Sequence, residues 1–272
     1  MNLLLAPIVI SLLGSSFPAN QLPSRGKEQI RVMPVAATPE PYTVNLAIQI
    51  PKDGQPLSGN PIWVQLRLDG YSLGAASQFE RADDIAVSNM GQTARVVVDN
   101  DPFFAINEPA IDPFYEDGFY YDMSYKFEVP YRLKEGMHTL RVFEARSFGE
   151  SLKGGNTFRS IYFYVGSQEN RPGMDLSAPY ITYNEPSGQM DLKEDQPVLL
   201  DFWVSNTELS ADGYKVRLTI DGKTKRNLTS WQPYYIYGLK QGKHTVRLEL
   251  VNPQGTRVPG LFNDTERTIQ VR

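Results

Sequence analysis

The chain has 272 residues, a net charge of −4, 41% hydrophobic and 11% aromatic content, and no cysteine. That length and apolar content support two domains of ordinary size. The mild acidity, without a basic block, gives no sign of a nucleic-acid partner, and none is expected. The missing cysteines exclude disulfides, thiol nucleophiles, cysteine-ligated zinc and a lipid-modified N-terminal cysteine.

Residues 1–16 open with an apolar run from Leu3 to Leu13, followed by Gly14, Ser15 and Ser16. The run is too short to span a bilayer and matches the core of a signal peptide, although no basic residue precedes it. An exported chain is therefore expected: periplasmic, cell-surface or secreted, with no transmembrane span once mature. Export without cysteine suits bacteria better than the eukaryotic secretory pathway. Residues 17–41 are rich in Pro, Ser, Gln and charge, lack periodicity and read as a flexible spacer.

Residues 42–166 form a first expected domain. Residues 44–50 and 62–68 alternate apolar and polar with the two-residue period of half-buried strands, and Asp69-Gly70 supplies a turn. Further on, the stretch from Tyr131 through Gly136, His138 and Thr139 to Arg141 returns 106 positions later as Tyr237, Gly242, His244, Thr245 and Arg247. Gly149/Gly255 and Val165/Val271 keep the same offset. A repeat held without a gap marks two copies of one folding unit. Residues 167–178 then read as a polar linker and 179–272 as the second copy. There the strands at 198–204 and 214–220 lead to an Asp221-Gly222 turn. In both copies Leu140/Val142 and Val246/Leu248 should face a core.

Short alternating strands, turn residues between them and no sustained helical period predict an all-β fold of two tandem antiparallel β-sandwich domains. The segment Leu-x-x-Gly-x-His-Thr-(Leu/Val)-Arg before a closing strand resembles the late strands of bacterial immunoglobulin-like or fibronectin type III-like modules. That resemblance implies a sandwich without the antibody cysteine pair and is silent on function.

The copies differ between Gly70 and Tyr131, where the first is far longer than the second between Gly222 and Tyr237. Domain one thus carries a long insertion, about residues 71–125, expected to be a surface loop that the sandwich can close without. Inside it, residues 99–125 hold seven carboxylates and no Lys or Arg. Two chemistries suit this stretch. Asp99, Asp101, Asp112, Glu116 and Asp117 could supply oxygens to Ca²⁺, although Asp99-Asn-Asp-Pro lacks the glycine and terminal glutamate of an EF-hand. Phe103, Phe104, Phe114, Tyr115, Phe119, Tyr120 and Tyr121 could instead hold a sugar or peptide. The plain alternative is a long loop with anchored aromatics and solvated acids. Carboxylates this dense always contain a pair at glycosidase separation, so that signal is poor.

Gly70-Tyr-Ser72-Leu-Gly74 matches the G-x-S-x-G of hydrolases, with Asp112, Asp117 and His138 following in order. It sits at a turn of a β-repeat, and His138 has a counterpart in His244 where no serine motif exists, so a structural role explains the histidines better. Trp231-Gln-Pro-Tyr-Tyr-Ile reads as core or strand edge. Asn227-Leu-Thr and Asn263-Asp-Thr are glycosylation sequons that matter only in a eukaryotic host. The function expected is a non-enzymatic exported or cell-envelope protein, with no cofactor unless Ca²⁺, and a protein or polysaccharide partner. The alternative is a carbohydrate-active enzyme or accessory protein that uses the insertion.

Overall fold

The computed structural model describes residues 29–41, 43–86, 88–108, 110–111, 121–122, 124–166 and 175–272. The signal-like segment 1–16 lies outside them. No helix among the described residues is long and apolar enough to cross a membrane.

The first sandwich contains β2 (Asn45–Ile50), β3 (Gln55–Leu57), β4 (Trp63–Asp69), a short helix α1 (Arg81–Asp84), β5 (Thr93–Val98) and β6 (Phe104–Ile106). It continues with β7 (Ala110–Ile111), β8 (Tyr121–Asp122), β9 (Ser124–Glu128), β10 (Gly136–Ala145) and β11 (Phe158–Val165). One sheet runs β2-β4-β9 and the facing sheet β3-β11-β10-β5-β6, while β7 and β8 pair as a small ribbon.

The second sandwich contains β12 (Tyr180–Glu185), β13 (Gln189–Met190), β14 (Val198–Ser205), β15 (Lys215–Ile220) and β16 (Thr224–Leu228). β17 (Tyr234–Tyr237), β18 (Gly242–Val251) and β19 (Asp264–Val271) complete it. Its sheets run β12-β14-β17 and β13-β19-β18-β15-β16, and the first of these gains β1 (Arg31–Pro34) beside β17. The pairing is antiparallel except at β3/β11 and β13/β19, the same place in each copy. The fold is therefore two tandem immunoglobulin-like, fibronectin type III-like sandwiches.

Alternation places Leu46, Val64, Leu66, Val96, Leu140, Val142 and Phe163 in one core, and Ile181, Leu200, Val216, Leu218, Val246, Leu248 and Ile269 in the other. Leu140, Val142, Val246 and Leu248 all have 0% exposure, matching the depth expected from the repeat. Each such aliphatic side chain contributes about 1.5–3 kcal/mol relative to exposure. Leu133 and Leu239 also pack alike, against the first and second core. Tyr131 and Tyr237 do not: Tyr131 lies against the first core, and Tyr237 on a separate cluster with Tyr235.

The register corrects the sequence alignment of the copies. Asp221 forms the β15–β16 turn, and its counterpart is Asp99 at the β5–β6 turn rather than Asp69. Leu140 pairs with Val98 as Val246 pairs with Ile220. Asp99 and Asp221 share a positive φ of 51°. The added length of the first sandwich therefore falls in two places, residues 70–92 and 107–123. Asp99, assigned to the insertion from sequence, belongs to the repeated framework.

Two further expectations fail for one reason, which is that the sandwiches stack face to face. The β5-β10-β11 sheet lies on the β12-β14-β17 sheet, giving four layers. Residues 31–40, read as spacer, form β1 and then cross between the layers. Val35 N–H donates to Pro233 O at 3.0 Å. Buried Thr38 donates to Glu150 through its backbone N–H (2.9 Å) and its hydroxyl (2.6 Å). Residues 70–92 are not a dispensable loop either. Tyr71 and Leu73 enter the first core, and Ile85 and Ala82 join Phe148, Leu199, Tyr235 and Val35 in a third cluster between the sandwiches.

Candidate binding cleft between the sandwiches

The layer between the sandwiches is unusually polar. On β5, Arg95 points away from the first core because Ala94 and Val96 point into it. Its Nη1 lies 2.7 Å from Glu185 Oε1 and also donates to Asn184 Oδ1. Asn184 Nδ2 donates to Gly149 O (2.8 Å) and to Asp201 Oδ2 (2.7 Å). Asp201, fully buried in the middle of β14, further accepts from Ser151 Oγ (2.6 Å) and from Lys153 Nζ (2.6 Å). Glu150 takes Arg81 Nε at 3.3 Å in addition to Thr38. Arg141 donates to Thr182 Oγ1 at 2.8 Å and lies 3.6 Å from the centroid of the Phe262 ring.

Burial lowers the Arg141 pKa, while its Nη groups donate to Thr182 Oγ1 and to the carbonyls of Ile181 and Asp99. Desolvation raises the Glu185 pKa, and Arg95 opposes that shift. Phe158 stacks on Trp203 at 4.8 Å and 13°. Trp231 meets Trp203 edge-on and donates its Nε1–H to Phe202 O at 3.0 Å. The Trp231 cluster thus serves both the second core, which Tyr234 and Ile236 enter, and the seam, where Trp231 meets Trp203 and Tyr235 joins the third cluster.

At one end the layers part into a cleft of about 370 Å³, near the lower end of small-molecule sites. Met90, Phe103, Met190 and Leu199 line it together with Arg95 and Glu185. Phe103, chosen from sequence, reaches this cleft with the Arg95 guanidinium 4.1 Å from its ring centroid. Phe104 turns the other way. It packs on the first core, edge-on to Phe127 at 5.8 Å and to Tyr131 at 6.4 Å. Phe103, just before β6, and Phe104, its first residue, thus face opposite sides and cannot form one platform.

Asp99 is a framework residue. Its carboxylate accepts from Thr139 N–H (2.9 Å) and from His138 Nδ1 (2.7 Å), as Asp221 does from Thr245 (2.9 Å) and His244 (2.7 Å). Asp101 is exposed. Asp112, Phe114, Tyr115, Glu116, Asp117, Phe119 and Tyr120 lie outside the described residues, and Tyr121 is described only as backbone in β8. Among the described residues no group of three or more His, Asp or Glu is placed to hold a metal ion.

His138 Nε2 donates to Lys134 O at 2.8 Å, so both ring nitrogens face acceptors. That geometry requires a proton on each, and the hydrogen bond to Asp99 raises the His138 pKa. Ser72 is exposed in a loop that starts at Gly70, where a Cβ would sit 2.4 Å from Thr43 O. Tyr71 and Leu73 on either side are buried. The motif is a core plug, and His138 is committed elsewhere.

Sequence reasoning missed Arg95, Lys153, Asn184, Glu185 and Asp201. A signal was present: Asp201 interrupts Val-Leu-Leu-Asp-Phe-Trp-Val, and Arg95 interrupts Thr-Ala-Arg-Val-Val-Val. A charge within a strand whose two faces are both otherwise apolar marks a strand covered on both sides.

Glu144, at the end of β10, is also fully buried, and neither carboxylate oxygen has a hydrogen-bond partner. Desolvation raises its pKa well above the ordinary value. The folded protein therefore holds this proton at a pH where the unfolded chain has lost it. The resulting stability is complete below the ordinary carboxylate pKa and declines as pH rises toward the folded pKa. Glu144→Gln is expected to be more stable than the parent by about 1–3 kcal/mol at pH 8, with a flatter pH profile. Urea melts from pH 4 to 9 check this, and equal slopes for the two proteins would refute it.

No family model matches the chain, and no curated protein matches it in sequence. Among solved structures, the fibronectin(III)-like modules of Clostridium thermocellum CbhA align over 84% of this chain and 94% of theirs, at 10% identity and TM-score 0.28. The FN1–FN3 domains of chicken CNTN1 align over 86% and 69%, at 9% identity and TM-score 0.22. Bacteroides ovatus SGBP-B in complex with a mixed-linkage heptasaccharide aligns over 84% and 47%, at 11% identity and TM-score 0.19. These likenesses concern the fold alone.

Proposed function

We propose that this chain is a non-enzymatic exported or cell-envelope protein, in which two sandwiches are joined into one body for binding or spacing. The observation that carries the reading is where the chemistry-bearing side chains are spent. His138 and His244 are each held between an aspartate and a backbone carbonyl. Asp201, Glu150 and Glu185 are each held by a cation inside the seam. Groups committed in this way stabilise a shape and are poor acids, bases or nucleophiles. The apolar N-terminal run supports export, and the cleft and the open outer faces of the stack offer surfaces to a partner.

The competing reading is a carbohydrate-active enzyme or accessory protein using the acidic-aromatic insertion of the first sandwich. The two differ in turnover. Cell fractionation should place the protein outside the cytoplasm. A fluorophosphonate probe should leave Ser72 unlabelled, and polysaccharides incubated with the protein should release no new reducing ends. Stoichiometric labelling lost in Ser72→Ala, or steady product release, would refute the non-enzymatic reading.

A further inference from the structure

The two copies use their matching sheets differently. In the second sandwich the outward residues of the central strand β14 are Leu199, Asp201 and Trp203, and all three are buried against the first sandwich. Trp203 anchors that contact by stacking on Phe158. The matching strand of the first sandwich is β4, central in β2-β4-β9. Its outward residues are Trp63, Gln65 and Arg67, and among the described residues no other layer of the stack covers them. Trp63 is 45% exposed, whereas the interleaved Val64, Leu66 and Leu68 are in the core.

The neighbours of this strand complete a flat platform. Lys126 stands opposite Gln65 and Glu128 opposite Trp63 on β9. Gln49 reaches over from β2, its Oε1 accepting from Ser124 Oγ at 3.4 Å. Lys126 Nζ sits 5.3 Å from the Trp63 ring centroid.

The other outer face of the stack, on β15-β18-β19, shows what a merely solvated face of this fold looks like. There Arg247 is 2.6 Å from Asp264 and 3.5 Å from Glu249, with Arg217 near Glu249 as well. It is laced with ion pairs and carries no tryptophan.

We infer that the β2-β4-β9 face is a docking platform for an uncharged polysaccharide chain, with Trp63 as its anchor and Gln49, Gln65 and Arg67 as its hydrogen-bonding side chains. The inference deepens the binding reading above and rests on it. The charges of the face decide the partner class. Among the described residues the face carries Arg67, 3.0 Å from Asp69, and Lys126, two positions from Glu128 on β9, so its charges balance. A balanced face does not attract an anionic polymer, which would need excess positive charge. A sugar ring offers an apolar C–H face to the indole and a ring of hydroxyls to amides and guanidinium. An exposed tryptophan among side-chain amides is complementary to that pairing, because the indole offers a large apolar face at a solvent-facing position. A second copy of this chain is the less suitable occupant. The face that would have to dock here by analogy with the internal seam is the ion-paired one.

The test is affinity electrophoresis of the full chain through gels containing starch, xylan, galactomannan or a soluble β-glucan, with alginate as the anionic arm. At least one neutral polymer should retard the protein. Trp63→Ala should weaken that retention about tenfold or more, and Gln65→Ala by a smaller factor. Leu261→Ala, at an exposed position of the second sandwich, should leave it unchanged. Of the three tryptophans, Trp203 and Trp231 are packed in the seam, so the emission change on binding should vanish in Trp63→Ala. Trp63 is exposed, and an unchanged melting temperature verifies that the variant folds.

Retention by none of the neutral polymers would overturn the inference. So would retention that survives both substitutions, stronger retention by alginate, or self-association lost in Trp63→Ala. Release of sugar products from the retained polymer would instead sink the non-enzymatic reading and leave the platform standing.

Discussion

Removing residues 29–40 should destabilise the protein on the order of 4 kcal/mol or more and make it aggregate. Ile30 and Val32 would leave the second core, and Val35 would leave the cluster between the sandwiches. Partial burial of three aliphatic side chains accounts for about half of that loss. The remainder comes from Glu150, which would keep Arg81 but lose both bonds from Thr38. Lys153 N–H would also lose Glu40 Oε1, now 2.9 Å away.

The same deletion bares the edge of β17, whose sequence is Tyr-Tyr-Ile-Tyr. An uncovered, aromatic strand edge is a template for intermolecular pairing. Urea melts with light scattering on the refolded sample measure both effects. A synthetic peptide of residues 29–40 should restore part of the stability by adding back the strand in trans. A truncated protein that stays monomeric and within about 1 kcal/mol of the parent would show that the segment is incidental.

Asp201→Ala should cost about 3–5 kcal/mol, because it strands buried partners rather than removing one contact. Lys153 Nζ, Ser151 Oγ and Asn184 Nδ2 all converge on this carboxylate, at 2.6, 2.6 and 2.7 Å. Lys153 would then be a cation without a counter-charge in the seam. The loss should be partly reversed by Lys153→Met in the same chain, which removes the unpaired charge. Because Asp201 belongs to the second sandwich and Ser151 and Lys153 to the first, the substitution should also loosen their coupling. One cooperative melt should broaden or split in two. A single sharp transition shifted by under about 1 kcal/mol would mean that water replaces the carboxylate and that the seam is weaker than its geometry implies.

Much of this fold was legible beforehand, for local reasons. The two-residue alternation at Trp63–Leu68 and at Lys215–Ile220 follows from one face of each strand being apolar, and that information lies within the strand. The unbroken repeat from Gly136 to Val165 and from Gly242 to Val271 placed both late hairpins, because neither copy carries an inserted residue there. The histidine pair stands at equivalent places in the two copies, each ring between an aspartate and a lysine carbonyl, because a residue kept in both copies serves what both copies share. The candidate aromatics fared differently: Phe103 and Phe104 adjoin in sequence yet lie on opposite sides of one sheet.

The amino-acid sequence by itself determined the strands, the duplication and the depth of the core positions, because each depends on a side chain's own strand and nearest turn. Only the tertiary structure decided which faces meet. β1 has no periodicity of its own and becomes a strand by borrowing the edge of β17. Asp99 matches Asp221 only once the ladders are laid side by side, since Asp69-Gly70 is the better match by letter. Arg95, Glu185 and Asp201 are tolerable in a buried layer only because they come together from two sandwiches. The free energy of such a charge is set by a partner distant in the chain, and no local pattern encodes that partner.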